Sequence, residues 1–193
     1  MIAEVLLLAL LAQAGPIPPQ APMKENRAPV PAAPVPLQQP ESADVDHLFA
    51  VAFIQGSNAE MELADLASQH ASANEVKGYA AKMIAEHKGM ADEIMPVLQR
   101  ILTTPPAQRL APGDELAKKH LEAVKPPDFD QQYVMTQIAG HLAMLTAFHT
   151  EADNGTDQQL KELVRKWAPT IQAHLELAVD VTKHVGGSSP FKQ

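Results

Sequence analysis

Residues 74–102 read NEVKGYAAKMIAEHKGMADEIMPVLQRIL. Within them Val76, Ala80, Met83, His87, Ala91, Ile94, Leu98 and Ile101 recur at alternating spacings of three and four. That is the period of one face of a helix, and such a stripe must be buried against something apolar. One member breaks the apolar run, and it is a histidine, His87.

Three more segments carry the same pattern. Asp44 to Gln69 aligns Phe49, Phe53, Gly56, Glu60, Leu63 and Ala67. Phe129 to Ala152 aligns Val134, Ile138, His141, Leu145, Phe148 and Ala152. Asp157 to Val185 aligns Leu160, Val164, Trp167, Ile171, His174, Ala178, Val181 and Val185. Each stripe again holds a single Glu or His. The predicted fold is therefore all-α, a four-helix bundle with Glu60, His87, His141 and His174 all aimed at its interior.

The connections define the topology. Ser72-Ala73-Asn74 is too short for anything but an antiparallel hairpin of the first two helices. Asp153-Asn154-Gly155 closes the last two in the same way, with Gly155 suited to a C-terminal cap. Between the hairpins, Thr103 to Asp128 is broken by Pro105-Pro106, Pro112-Gly113 and Pro126-Pro127. Inside it, Asp114 to Val124 reads as a short amphipathic helix with Asp114 as N-cap. Two hairpins joined by one long crossover describe a ferritin-like bundle. Pro169 should kink the last helix or start a second one there.

Ahead of the bundle, residues 1–14 read as a signal peptide: Val5 to Leu11 is apolar, and Ala12-Gln13-Ala14 offers small residues for cleavage before Gly15. The apolar run is far short of the ~20 residues that span a bilayer, so the mature chain should have no transmembrane span. Residues 15–43 are dense in proline and read as an extended linker, and 186–193 as a disordered tail. The expected location is outside the cytoplasm, in the periplasm or outer envelope.

Composition excludes several function classes. With no cysteine there is no disulfide, thiolate metal site or covalent haem attachment. A net charge of -8 argues against unaided binding to nucleic acid, whose phosphates need cations. No phosphate-binding loop, dinucleotide fingerprint or nucleophile elbow is present in the sequence.

A buried carboxylate is expensive unless paired, so Glu60 needs a partner. Counted from Ala73, Glu60 lies 13 residues before the first turn and His87 14 after it, which puts them at one depth. Counted from Gly155, His141 lies 14 before and His174 19 after, a mismatch of about 7 Å at 1.5 Å per residue. Three imidazoles and a carboxylate suit a single Zn, Fe, Mn, Ni or Cu ion. The competing reading is a buried Glu–His hydrogen-bond network in a non-catalytic envelope or stress-related module. Non-covalent haem held between two histidines, or between a histidine and a methionine, is a third option. Glu62, Glu86 and Glu176 align with polar neighbours and read as surface residues. His47, His70, His120, His149 and His184 fall at ends or edges of helices. Met83, Met90 and Met144 read as core filler.

The strings GSNAEMELADLA (Gly56 to Ala67), EVKGYAAKMIAEHK (Glu75 to Lys88), FDQQYV (Phe129 to Val134) followed by His141, and WAPTIQAHLELA (Trp167 to Ala178) together resemble a family of exported bacterial proteins, a ferritin-like domain of unknown function. The resemblance spans about residues 44 to 185 and implies a ferritin-like four-helix fold. The wider ferritin-like superfamily often holds two metals through Glu-x-x-His pairs. Here Ile84 and Ile171 stand three residues before His87 and His174, and His141 occupies a glutamate's place. Only a single-metal site is compatible with that pattern.

Overall fold

A computed structural model describes residues 42–102, 104 and 110–185. Among them there are five helices and no strand: α1 (Ser42–His70), α2 (Asn74–Ile101), α3 (Pro112–Ala123), α4 (Asp128–Asn154) and α5 (Gln158–Val181). The expected signal segment, nearly all of the linker and the tail lie outside the described residues; positions 42 and 43 begin α1 instead of ending the linker.

The four long helices close a ring, α1 packing on α2, α2 on α5, α5 on α4 and α4 on α1. This arrangement fits a four-helix bundle. The short α3 lies outside the ring against α1 and α4. It is held by buried Leu121 and by Lys118, whose ammonium sits 2.6 Å from the Glu62 carboxylate.

Each long helix buries one face. The buried side chains form two apolar half-cores. One gathers Phe49, Phe53, Ile94, Leu98, Phe148 and Leu160, with the three phenyl rings 5.3 to 6.2 Å apart. The other gathers Leu63, Val76, Met83, Phe129, Tyr133 and Val181, where Phe129 and Tyr133 stack at 6.2 Å. Full burial of each such side chain contributes roughly 1.5–3 kcal/mol, so the two half-cores dominate the fold's stability. His87, His141 and His174 belong to neither half-core; Met83 and Met90, on the same helix as His87, fall one in each.

The turns are tied across the bundle. Asp130, near the start of α4, accepts from the Ser72 N–H (2.9 Å), the Ser72 hydroxyl (2.6 Å) and the Ala73 N–H (2.8 Å) in the α1–α2 turn. Asp46, near the start of α1, accepts from the Thr156 N–H (2.6 Å), the Thr156 hydroxyl and the Asp157 N–H (3.0 Å) in the α4–α5 turn. Both aspartates are buried, and both satisfy N–H groups that a helix start leaves without partners.

Several sequence expectations are corrected. Of the two alternatives for Pro169, a second helix does not start there, since α5 runs unbroken from Gln158 to Val181. The ring faces solvent, where a missing helix hydrogen bond is replaced by water. Pro96 is accommodated the same way on the exposed side of α2. Asp114 is not the N-cap of α3: the helix starts at Pro112, whose fixed φ suits a first turn, after Ala111. Asp157 precedes α5 as its N-cap, accepting from the Leu160 N–H at 2.9 Å. The helix ends at Val181, four residues short of the expected Val185.

Candidate metal centre

The periodicity of each stripe places its odd residue inward, and three of the four meet. His87 of α2, His141 of α4 and His174 of α5 are all buried, with ring centroids 5.3 to 5.6 Å apart. Each offers one ring nitrogen such that the three lie within 4.8 Å of one another. Glu60 is not one of that group. Its Oε1 lies 3.8 Å from Nδ1 of His141, on the flank of the cluster. Counting residues from the turns favoured Glu60 with His87 over the pairing of His174, yet the structure joins His174 to the other two histidines.

Outer partners orient two of the three rings. His141 Nδ1 donates to the Gln137 carbonyl at 2.9 Å, which leaves Nε2 as a bare lone pair. His174 Nε2 lies 2.6 Å from Oε2 of Glu86; a carboxylate only accepts, so Nε2 carries the proton and Nδ1 is bare. Glu86 is itself paired with Lys82 one turn earlier. Hydrogen bonds of this kind, from the far side of an imidazole, fix the tautomer and orientation of metal-binding histidines. The inward nitrogens, His141 Nε2 and His174 Nδ1, together with both nitrogens of His87, are buried and have no hydrogen-bond partner.

Burial keeps all three rings neutral. It pulls His87 down to about 3, helped by the neighbouring histidines. It pulls His141 down to about 4 against the opposing pull of the Gln137 carbonyl. His174 is lowered by burial and partly restored by Glu86. Beside the cluster, burial pushes the Glu60 carboxyl up to about 8, the Gln137 side chain opposing and Asp114 adding to the rise. Two buried phenols, Tyr79 and Tyr133, are raised by burial and by the charge of Glu60.

Sequence reasoning missed part of this site. Glu86, which its polar neighbours mark as a surface residue, is half-buried and reaches across to α5. Its own helix gave no signal, because its partner is on α5, far along the chain. Tyr79 and Tyr133 did leave one, each standing eight residues before a site histidine and thus near its face of the helix. His47, His70, His120, His149 and His184 are all exposed, as expected.

A cavity of about 280 Å³ lies between α1 and α4. Its outer rim includes exposed Ala52, Gly140 and Ala143, and its inner wall includes Phe53, Glu60, His87, Met90 and His141. Ala111 and Asp114 of α3 complete the lining.

Fold and site together define an all-helical protein with a buried cluster of three histidines between two apolar half-cores. The chain belongs to the family described as a domain of unknown function, DUF4142, which matches residues 31–181. No curated protein and no solved structure matches it. No helix of the described residues is long and apolar enough to cross a membrane.

Proposed function

We propose that this is an exported, ferritin-like bundle protein that binds one transition-metal ion through His87, His141 and His174, with Glu60 beside it. One observation carries the metal reading: the inward ring nitrogens outnumber the protons available to them. Neutral His141 and His174 present only lone pairs inward, and His87 has a single N–H to give. At most one hydrogen bond can form within the trio, so two lone pairs stay empty. Buried acceptors without donors are costly, and a Lewis acid fills them all at once. Imidazole nitrogen suits Zn, Cu, Fe or Ni. A metal–nitrogen distance of ~2.0–2.1 Å requires the rings to close by small side-chain rotations.

The ferritin-like assignment is supported by two hairpins joined by a long connection. Export is supported by the apolar run Val5 to Leu11 and the small-residue motif after it. The polar-network reading draws on the buried Tyr79 and Tyr133 hydroxyls and the Gln137 carboxamide, which also have no partner and could bond to Glu60 or water.

Metal analysis of untagged protein purified without chelator tests the reading. About one equivalent is expected in the wild type and none in His141→Leu. Less than a tenth of an equivalent, unchanged after incubation with Zn, Cu, Fe, Mn or Ni, would favour the network. N-terminal sequencing of the mature chain should begin at Gly15 if residues 1–14 are removed on export.

A further inference from the structure

We infer that the metal is left with an open coordination position facing the α1–α4 cavity, and that a small uncharged amphipathic molecule binds there through a nitrogen or oxygen donor. The inference rests on the metal reading above. Three protein ligands with a free position are the arrangement of reactive metal sites, whereas structural sites close with four. Here the three histidines come from α2, α4 and α5, and the fourth helix contributes no ligand to the trio. On that side lies the cavity, whose wall includes His87 and His141. Both histidines are more than nine-tenths buried and carry unpartnered ring nitrogens.

The cavity's walls select the ligand's chemistry. Small residues, Gly56, Ala59, Gly140 and Ala143, line the cavity and leave part of the space between α1 and α4 unfilled. An added Cβ at Gly140 would come within 3.2 Å of the Glu60 carboxylate, so the carboxylate leans over that part of the wall. Phe53, Leu63, Met90 and Met144 supply an apolar bed, and the volume is at the small end of ordinary ligand pockets. No Lys or Arg lines the cavity, while Glu60 and Asp114 do. A bound dication would attract any anion, so the lining decides: no Lys or Arg would steady an anionic head along the cavity, whereas Phe53, Leu63, Met90 and Met144 would hold the apolar body of an uncharged donor.

Cobalt(II)-loaded protein provides the test, because its visible absorption reports each change of ligand. Imidazole, an uncharged donor at pH 8, should shift the bands saturably at one equivalent, with butyrate and azide binding about tenfold or more weakly. Ala143→Leu and Ala52→Leu, both at exposed rim positions, should keep full cobalt content and weaken imidazole binding about tenfold. A normal cobalt spectrum that no added ligand changes would mean a closed site and overturn the inference. Tighter binding of butyrate or azide than of imidazole would overturn the ligand class, and unchanged imidazole binding in both rim variants would overturn the route. Failure to take up cobalt at all would instead overturn the metal reading itself.

Discussion

In the α1–α2 hairpin the turn gives two backbone N–H groups and a hydroxyl to Asp130 of α4, and in the α4–α5 hairpin the turn gives the same three to Asp46 of α1. Asp46 and Asp130 stand 84 residues apart, as do Ser72 and Thr156 (130 − 46 and 156 − 72). Each hairpin is thus clamped by the other at equivalent positions. The same offset carries His87 to Ile171, Glu60 to Met144 and Ser57 to His141. The clamps repeat and the site does not. A feature that serves folding recurs in both halves, because both halves face the same problem of an open turn. The histidine layer needs ligands on one side and a cavity on the other, and so it is built asymmetrically.

The largest effects should come from breaking the clamps. Asp130→Ala removes a buried carboxylate and leaves the Ser72 and Ala73 donors without it, which should destabilise the protein by about 3–5 kcal/mol. Asp46→Ala should cost about 1 kcal/mol less, because buried Glu151 lies beside Asp46 and is relieved of its charge. Urea denaturation with unchanged slope checks both. Equal losses would show that Glu151 does not feel Asp46.

The unrepeated layer should respond to metal where the clamps do not. At a free-ion concentration a hundredfold above Kd, binding to the native state adds about 2.7 kcal/mol, or roughly 5–10 °C in Tm for a chain of this size. Asp46 and Asp130 variants should keep that increment. His141→Leu should lose it, and without metal should be as stable as the wild type or more so, because a buried imidazole with a bare nitrogen is replaced by an apolar side chain. A metal-induced rise in His141→Leu equal to that of the wild type would place the ion elsewhere.

Much of this asymmetry was visible in the sequence. Stripes of period 3.6 gave four long helices with ends within a few residues of those observed, and the odd residue in each stripe named all three clustered histidines. Periodicity reports which way a residue faces, and it succeeds wherever the neighbour is simply the core. It fails where the neighbour's identity matters. Glu86 was hidden because its partner, His174, lies 88 residues along the chain. The two clamps were hidden for the same reason, since nothing local to Asp46 or Asp130 points to a turn on another hairpin. Glu60 was placed inward correctly, but its side-chain reach could not be read from helix phase.

A pair of substitutions tests how far the second hairpin departs from the first. By the 84-residue offset Gly155 corresponds to Ala71, and Glu151 to Ala67. Ala71 is buried and carries its Cβ without difficulty, whereas a Cβ at Gly155 would fall 2.5 Å from Cδ of Glu151 and 2.7 Å from its backbone carbonyl oxygen. Gly155→Ala alone should therefore cost about 1–3 kcal/mol. Combined with Glu151→Ala, which restores the first hairpin's pairing, it should cost clearly less than the sum of the two single changes. Additive losses would show that the backbone of the turn, not the glutamate, demands glycine.

The smallest effect expected is a pH dependence from the turn of the second hairpin that the turn of the first does not share. Burial first, and then the adjacent charge of Asp46, raise the Glu151 carboxyl from 4.5 to about 7. Its folded-state value thus lies above its unfolded one, so between pH 4.5 and 7 the native state holds a proton that the unfolded chain has lost. Stability from this group is complete below pH 4.5, falls as pH rises and levels off above about pH 7. Glu151→Gln keeps the shape without the titration. The variant should gain about 1–2 kcal/mol relative to wild type between pH 4.5 and 7.5, whatever its offset at low pH. The histidines, whose folded values lie below 6.5, contribute the opposite slope below that pH, but they do so equally in both proteins and cancel from the difference. Substituting Ala67 with Gln in the first hairpin adds no titrating group and should produce no pH-dependent difference at all. A flat difference for Glu151→Gln as well would mean that water reaches the carboxyl, and that the two turns are electrostatically alike.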